Sequence, residues 1–294
     1  MDRQVSQLWA VPAVRAIAAE RRAFARATAI GQPRAAVLDI ADGCAIYTGD
    51  GLFSNRGFGF GLTGELSADD LDRVERFYDE RGAPTEIEVA SMADAALLHL
   101  LARRGYELRR FRNVFARSPD APVPDPASGI GIATVDTTPT PAPGRATPQA
   151  WSETLIEGFG YDRADDVRRV QEWNAALLTV PGMTALVASI DGRPAGSASV
   201  LVDGSAAVLG GAATRPDDRR RGVQSGLIAA RLALGRLAGC ELAVVTADPG
   251  GSSARNAERA GFRLVCTLAV MRRPDRERPQ RSFGPSPPAA ARRG

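Results

Sequence analysis

"TRPDDRRRGVQSGLIAARLA", Thr214 to Ala233, sets three consecutive arginines and a glycine directly before an apolar periodic run. Val223, Leu227, Ala230, Leu234 and Leu237 recur at spacings of four and three, which puts them on one face of a helix. A helix N-terminus is already the positive end of its dipole. Further positive charge at that point asks for an anion. The preceding stretch "AAVLGGAAT", Ala206 to Thr214, reads as a strand of small residues. Strand, basic glycine turn and helix together make an anion cradle, because the first helical N–H groups have no partner inside the helix. Gly222 removes the Cβ that would hold the backbone away from a ligand. Arg219, Arg220 and Arg221 add charge-assisted donors. Gly210, Gly211, Ala212 and Ala213 leave the strand edge nearly bare, so an extended ligand can lie along it. A solvated arginine turn that binds nothing is the alternative. The strand–turn–helix setting favours a ligand.

The chain around this stretch has 294 residues, room for two ordinary domains. All of its 37 basic residues are arginine, against 34 acids, for a net charge of +3. That small excess gives no global field of the kind that marks nucleic-acid binding, and aromatics do not interleave with the arginines around Arg219. Cys44, Cys240 and Cys266 are scattered and form no CxxC, so a reducing, cytoplasmic setting is expected. His99 is the one histidine, and no metal site is expected. No run approaches about 18 apolar residues, so no membrane helix is expected. "LWAVPAVRAIAA" is interrupted by Pro12 and Arg15 and reads as a terminal helix, not a signal peptide.

Pro-rich "RSPDAPVPDPASG", Arg117 to Gly129, reads as a linker, and the tail from Pro274 has the composition of disorder. "TTPTPAPGRATP", Thr137 to Pro148, reads as a long loop. In the second half, strands are expected at Ile130–Val135, Thr184–Ile190, Ala195–Val202, Ala206–Thr214, Glu241–Ala247, Phe262–Cys266 and Ala269–Arg272. Helices are expected in Gln149–Gly158, Asp165–Leu177, Val223–Leu237 and Ser253–Arg259. A slide of 156 residues brings Gly105 onto Gly261, "TEIEVAS" onto "ELAVVTA" and "ADDLDRVERFYDE" onto the arginine-led helix. The chain therefore reads as two copies of one unit, with bounds 1–116, a linker 117–128, 129–273, and a tail 274–294. "GFGFG", Gly57 to Gly61, lacks dinucleotide-loop spacing and reads as a glycine-rich strand. His99 reads as a helix-packing residue, and several arginines of "RRFRNVFAR" as a solvated strand face.

From Thr184 to Arg273 the chain resembles the GCN5-related N-acetyltransferase (GNAT) superfamily. The family motif R/Q-x-x-G-x-G/A appears as Arg219-Arg220-Arg221-Gly222-Val223-Gln224, with Gln224 where glycine or alanine is usual. A second feature is the short helix ending in Gly-Phe, "SSARNAERAGF". The resemblance implies a mixed α+β fold: two GNAT-like domains, each a mostly antiparallel sheet flanked by helices. It implies a splayed strand pair that holds acetyl-CoA in the C-terminal domain. The implied cofactor contacts are Ala212, Ala213, Thr214, Arg219, Arg220, Arg221, Gly222, Val223, Gln224, Ser225, Ser253 and Asn256. The first half carries "TGELSADD" at the matching place, with carboxylates near the helix start. Those acids satisfy the dipole themselves and would repel a pyrophosphate. The first half is thus expected to be a degenerate copy that does not bind CoA.

The resemblance further implies acetyl transfer by direct attack of an amine, from a small molecule or peptide, on the thioester. Backbone N–H groups near Ala212 to Thr214 would polarise the carbonyl, and a base must take the ammonium proton. Family members often place a glutamate on the strand that is "AAVLGGAAT" here, and this strand has no acid. Glu157 and Tyr161, with Asp248 as a further possibility, are the candidates for base or acceptor contact, and Trp151, Phe159 and Trp173 for the pocket wall or the core. The tyrosine that often donates to the leaving thiolate is replaced by Ala257, so another donor serves or none does. A non-catalytic acyl-CoA-binding or regulatory protein is the competing reading. No nucleic acid or membrane partner is expected, and the protein is expected to be a monomer or homodimer.

Overall fold

A computed structural model describes residues 3–50, 54–123, 129–138, 140 and 142–274. The first half runs α1 (Arg3–Thr28), β1 (Ala36–Ile40), β2 (Gly43–Tyr47), β3 (Gly57–Phe58), α2 (Ala68–Asp79), β4 (Glu86–Ala90), α3 (Ala95–Arg103) and β5 (Glu107–Arg117). The second runs β6 (Ile130–Thr134), α4 (Pro148–Phe159), α5 (Ala164–Leu177), β7 (Met183–Ile190), β8 (Arg193–Asp203) and β9 (Ala206–Thr214). It ends with α6 (Val223–Leu237), β10 (Leu242–Ala247), α7 (Ser252–Arg259) and β11 (Arg263–Arg272). Shifting α2, β4, α3 and β5 by 156 residues lays them on α6, β10, α7 and β11 within two residues at each end. The repeat is therefore a repeat of structure.

The strands form one sheet in the order β1-β2-β3-β4-β11-β5-β10-β9-β8-β7-β6. All neighbours are antiparallel except β3 with β4 and β9 with β10. The centre holds an exchange. β11 lies between β4 and β5, and β5 lies between β11 and β10. Each half thus completes its sheet with the last strand of the other. Leu268 of β11 pairs with Arg112 of β5, the residue 156 positions earlier, so a local two-fold axis passes through that pair.

The exchange explains which strand arginines are buried. Arg109 and Arg110 are exposed as expected, but Arg112 and Arg117 are not. Arg112 donates to Glu88 of β4 at 2.8 Å and to Thr246 of β10 at 2.6 Å, spanning the exchanged strands. Arg117 donates to the carbonyls of Ala260, Ala121 and Pro122, fastening the start of the linker to the end of α7. Residues 124–128 of that linker and the tail from 275 lie outside the described residues.

Three other expectations change. The two final strands are one strand, β11, continuous through Thr267 and Leu268, which pair with Asn113 and Arg112 of β5. In "GFGFG" only Gly57–Phe58 is strand, because Gly59 and Gly61 turn the chain at φ +78° and +72°. His99 is exposed on α3, whose buried face is Leu97, Leu100 and Leu101.

α1 continues through Pro12 and lies across the shared sheet. Its Ala10, Ala13, Val14 and Ile17 pack on Val114, Ala116, Leu242, Val244 and Leu268. Further along, Phe24 joins Trp151, Leu155, Trp173 and Ala213, and meets the Trp173 ring edge-on at 5.8 Å. The first helix of the chain therefore reaches the strand that leads into the arginine turn. The opposite face of the second half is covered by α6 through Val223, Leu227 and Leu232.

Candidate functional site

The site starts where β9 leaves its neighbour. β9 pairs with β10 only from Ala206 to Leu209, yet continues beside β8 as far as Thr214. The register with β8 slips between the pairs Ser199–Gly210 and Ser197–Ala213, a bulge centred on Gly211 at φ +35°. A bulge bends its strand away from the ladder, so residues 210–214 part from β10. Arg231 of α6, 2% exposed, donates to the carbonyls of Gly210 and Ser199 at 3.2 and 3.4 Å beside this bulge. Burial pulls its pKa down to about 9, so it remains a cation at neutral pH. The end of α4 rests directly on the departing strand. A Cβ on Gly158 would stand 2.6 Å from that of Ala213.

A short 3-10 turn over Pro216–Asp218 then leads to the arginines. Asp218 is fully buried and accepts from Arg193 at 2.8 Å and Arg221 at 3.1 Å. Arg219 donates to the Gly158 carbonyl at 3.1 Å. Two of the three arginines therefore hold the turn in shape as well as charging it. Arg220 takes a positive φ of +65°, is exposed, and has no hydrogen bond or ion pair among the described residues. Gly222 caps α6 at φ +85°, ψ −1°, a conformation that favours glycine. No side chain caps α6, so its first N–H groups face outward without an internal acceptor. Gln224 points back and donates to Thr214 Oγ1 at 2.8 Å, tying the helix start to the end of β9. Glutamine is thereby accommodated without filling the cradle.

The matching place in the first half is closed by its own acids. Ser67 caps α2 in a reciprocal capping box with Asp70. Just before it, the Asp42 carboxylate accepts the N–H groups of Gly61, Leu62, Thr63 and Gly64 at 2.7–3.2 Å. The loop donors before α2 and the N–H of Asp70 are thus taken by side chains of this half.

The remaining sequence candidates are dispersed. Ser253 is exposed and Asn256 half-buried on α7, where Asn256 Oδ1 accepts from Arg259. Ala257 is 2% exposed and packed in the core beside Phe262. Glu157 Oε2 lies 2.8 Å from Nε of Arg215, the residue that follows β9. Tyr161 is half-buried against Phe159, with burial raising its pKa. Trp151 and Trp173 are core residues, Trp151 donating to the Ala198 carbonyl at 3.0 Å, while Phe159 is 40% exposed. Asp248 follows β10 close enough to Arg110 and Arg112 to favour their charge.

Sequence reading passed over Glu20. It is 2% exposed, on the buried side of α1 between Ile17 and Phe24. The signal was available: the stripe Ala10, Ala13, Ile17, Phe24 runs through position 20, where an acid breaks the apolar periodicity. A Cβ on Gly210 would lie 3.1 Å from Glu20 Oε1 and 3.2 Å from Ser199 Oγ. The bare strand leaves room for a carboxylate that comes from the other half of the chain. Burial raises the Glu20 pKa, against the opposing pull of Arg21 and Arg112.

A parted strand pair feeding an uncapped, arginine-rich helix start, set on a mostly antiparallel sheet flanked by helices, is the frame of a mixed α+β fold. Residues 149–262 match the family model described as the acetyltransferase (GNAT) family. The fold is similar to a GCN5-related N-acetyltransferase from Kribbella flavida (17% identity, TM-score 0.61, covering 85% of this chain and 95% of that one). It is also similar to a tandem GNAT protein from the clavulanic acid biosynthesis pathway (13% identity, TM-score 0.59, covering 86% and 89%). A third similar structure is a GCN5-related N-acetyltransferase from Sphaerobacter thermophilus (18%, 0.55, 82% and 76%). No curated protein matches the sequence. The family match thus covers residues 149–262, and the fold of the chain as a whole is similar to GNAT structures, a tandem one among them.

Proposed function

We propose that the protein is an acetyl-CoA-dependent N-acetyltransferase acting on a primary amine of a small molecule or peptide. The observation that carries this reading is the continuity from the bulge at Gly211 to the uncapped start of α6. The parted edge of β9 suits a pantetheine arm, and the N–H groups of Val223, Gln224 and Ser225 suit the pyrophosphate. Ala212, Ala213 and Thr214 would line the arm and polarise the thioester carbonyl. Arg219, Arg220, Arg221 and Gly222 would form the phosphate cradle, with Arg220 the most available cation. Ser253 and Asn256 would flank the arm from α7, and Glu157 and Tyr161 the acceptor entrance. In this reading residues 129–273 carry the reaction and 1–116 form a degenerate copy. The setting is cytoplasmic, the protein a monomer or homodimer.

A second reading, an acyl-CoA-binding protein without chemistry, is favoured by Ala257 and by the absence of an acid on β9. Calorimetry with acetyl-CoA and thiol release across a panel of alkylamines, aminosugars and peptide amines separate the two. Binding with amine-dependent thiol release supports the transferase. Binding with no release on any amine supports the second reading, and no binding at all removes both.

A further inference from the structure

The amine of the proposed reaction reaches the site as an ammonium at neutral pH, and its nitrogen cannot attack until a proton is removed. We propose that Glu20 is the catalytic base that removes it, a residue lent to the second half's site by the first helix of the chain. The inference rests on the transferase reading above and adds the group that moves the proton.

Four observations carry it. Gly210 is the first residue of β9 beyond its last partner in β10, and Glu20 Oε1 sits against that residue, where the strand opens. Ser199 Oγ faces the same place, so two side-chain oxygens meet where a Cβ on Gly210 would stand. Glu20 accepts no hydrogen bond among the described residues, and its nearest cation is Arg21, with Nη2 3.5 Å from Oε2. The other charges facing it satisfy one another: Arg112 of β5 and Arg56, just before β3, both pair with Glu88 of β4, at 2.8 and 3.1 Å. A buried carboxylate on an apolar helix stripe, without donors to stabilise its charge, is costly to keep. The same setting makes it a stronger proton acceptor than an ordinary glutamate, since burial lifts its pKa.

The step balances as follows. The Glu20 carboxylate takes one proton from the ammonium. The freed lone pair forms the C–N bond at the thioester carbonyl carbon. The C–S bond breaks with its electron pair on sulfur, which takes the second proton leaving nitrogen. The products are the amide, the free thiol of CoA and a proton that Glu20 returns to water.

Glu20→Gln keeps the shape and removes the basicity. With an amine that the parent acetylates, kcat/KM of this variant should fall about 100-fold or more. The parent's rise in rate with pH should vanish, and acetyl-CoA should still bind by calorimetry. Arg21→Met tests the same group without touching it: the rising limb should move to higher pH, because Arg21 pulls the Glu20 pKa down. A Glu20→Gln enzyme within about threefold of the parent, with the same pH limb, overturns the proposal. So does an unmoved limb in Arg21→Met, which decides the matter if the glutamine variant does not fold. A parent that binds acetyl-CoA and acetylates no amine refutes the transferase reading itself, and this assignment falls with it.

Discussion

Replacing Gly222 with valine tests the cradle most directly. Gly222 stands at φ +85°, ψ −1°, immediately before the first turn of α6. An L-residue in this left-handed region costs about 1–2 kcal/mol, and a β-branched one is a rarer outlier still. Folded domains are stable by about 5–15 kcal/mol, so the fold should survive with a melting temperature lower by roughly 2–4 °C per kcal/mol lost. Binding should suffer far more. Hydrogen bonds to a charged group contribute about 1.5–3 kcal/mol each. Misplacing two of the N–H donors at the helix start therefore costs about 3–6 kcal/mol, or about 100-fold to 10,000-fold in the dissociation constant of CoA. Calorimetric titration with CoA, alongside a thermal melt of the same sample, reads both quantities. A folded Gly222→Val protein that binds CoA within about threefold of the parent would refute the assignment of the pyrophosphate to this turn.

Ser67→Ala should lower stability by about 1 kcal/mol in urea titrations through loss of the capping box on α2, while CoA affinity stays at the parent value. Arg112→Met removes the guanidinium that joins Glu88 on β4 to Thr246 on β10 across the exchanged strands. Stranding a buried carboxylate in this way should cost about 3–5 kcal/mol by chemical denaturation; a cost near zero would mean that Arg56 alone satisfies Glu88. Glu20→Gln should become more stable relative to the parent as pH rises. The native pKa of Glu20 is raised, so its favourable contribution is complete below the unfolded value and is lost as pH climbs through the native one, whereas glutamine loses nothing. Urea midpoints of both proteins at pH 5 and pH 8 give the comparison, and a variant that loses stability relative to the parent between the two would contradict the burial of that carboxylate.

The features legible in the amino-acid sequence are those written within a few residues of one another. The four-and-three spacing from Val223 to Leu237 marks α6 to the residue. Three arginines before a glycine, with no Ser, Thr, Asp or Asn at the cap, announce an open helix start, while "LSADD" announces a closed one. The 156-residue repeat is visible because each copy repeats its own local pattern of turn, strand and helix. What tertiary structure alone decides is who meets whom. β5 and β11 have nearly the same local character, and either could have stayed with its own half. Their exchange is a choice between equivalent ladders that only the assembled sheet resolves. The burial of Arg112 and Arg117 on a strand that reads as solvated follows from it. Gln224, odd in the motif, finds its reason in Thr214 at the end of the strand. Glu20 and Gly210 stand 190 positions apart, one an apparent flaw in a helix stripe and the other an apparent blank in a strand. Neither pattern carries information about the other. A buried charge and an empty side-chain site become one feature only when long-range packing brings α1 onto the parted strand.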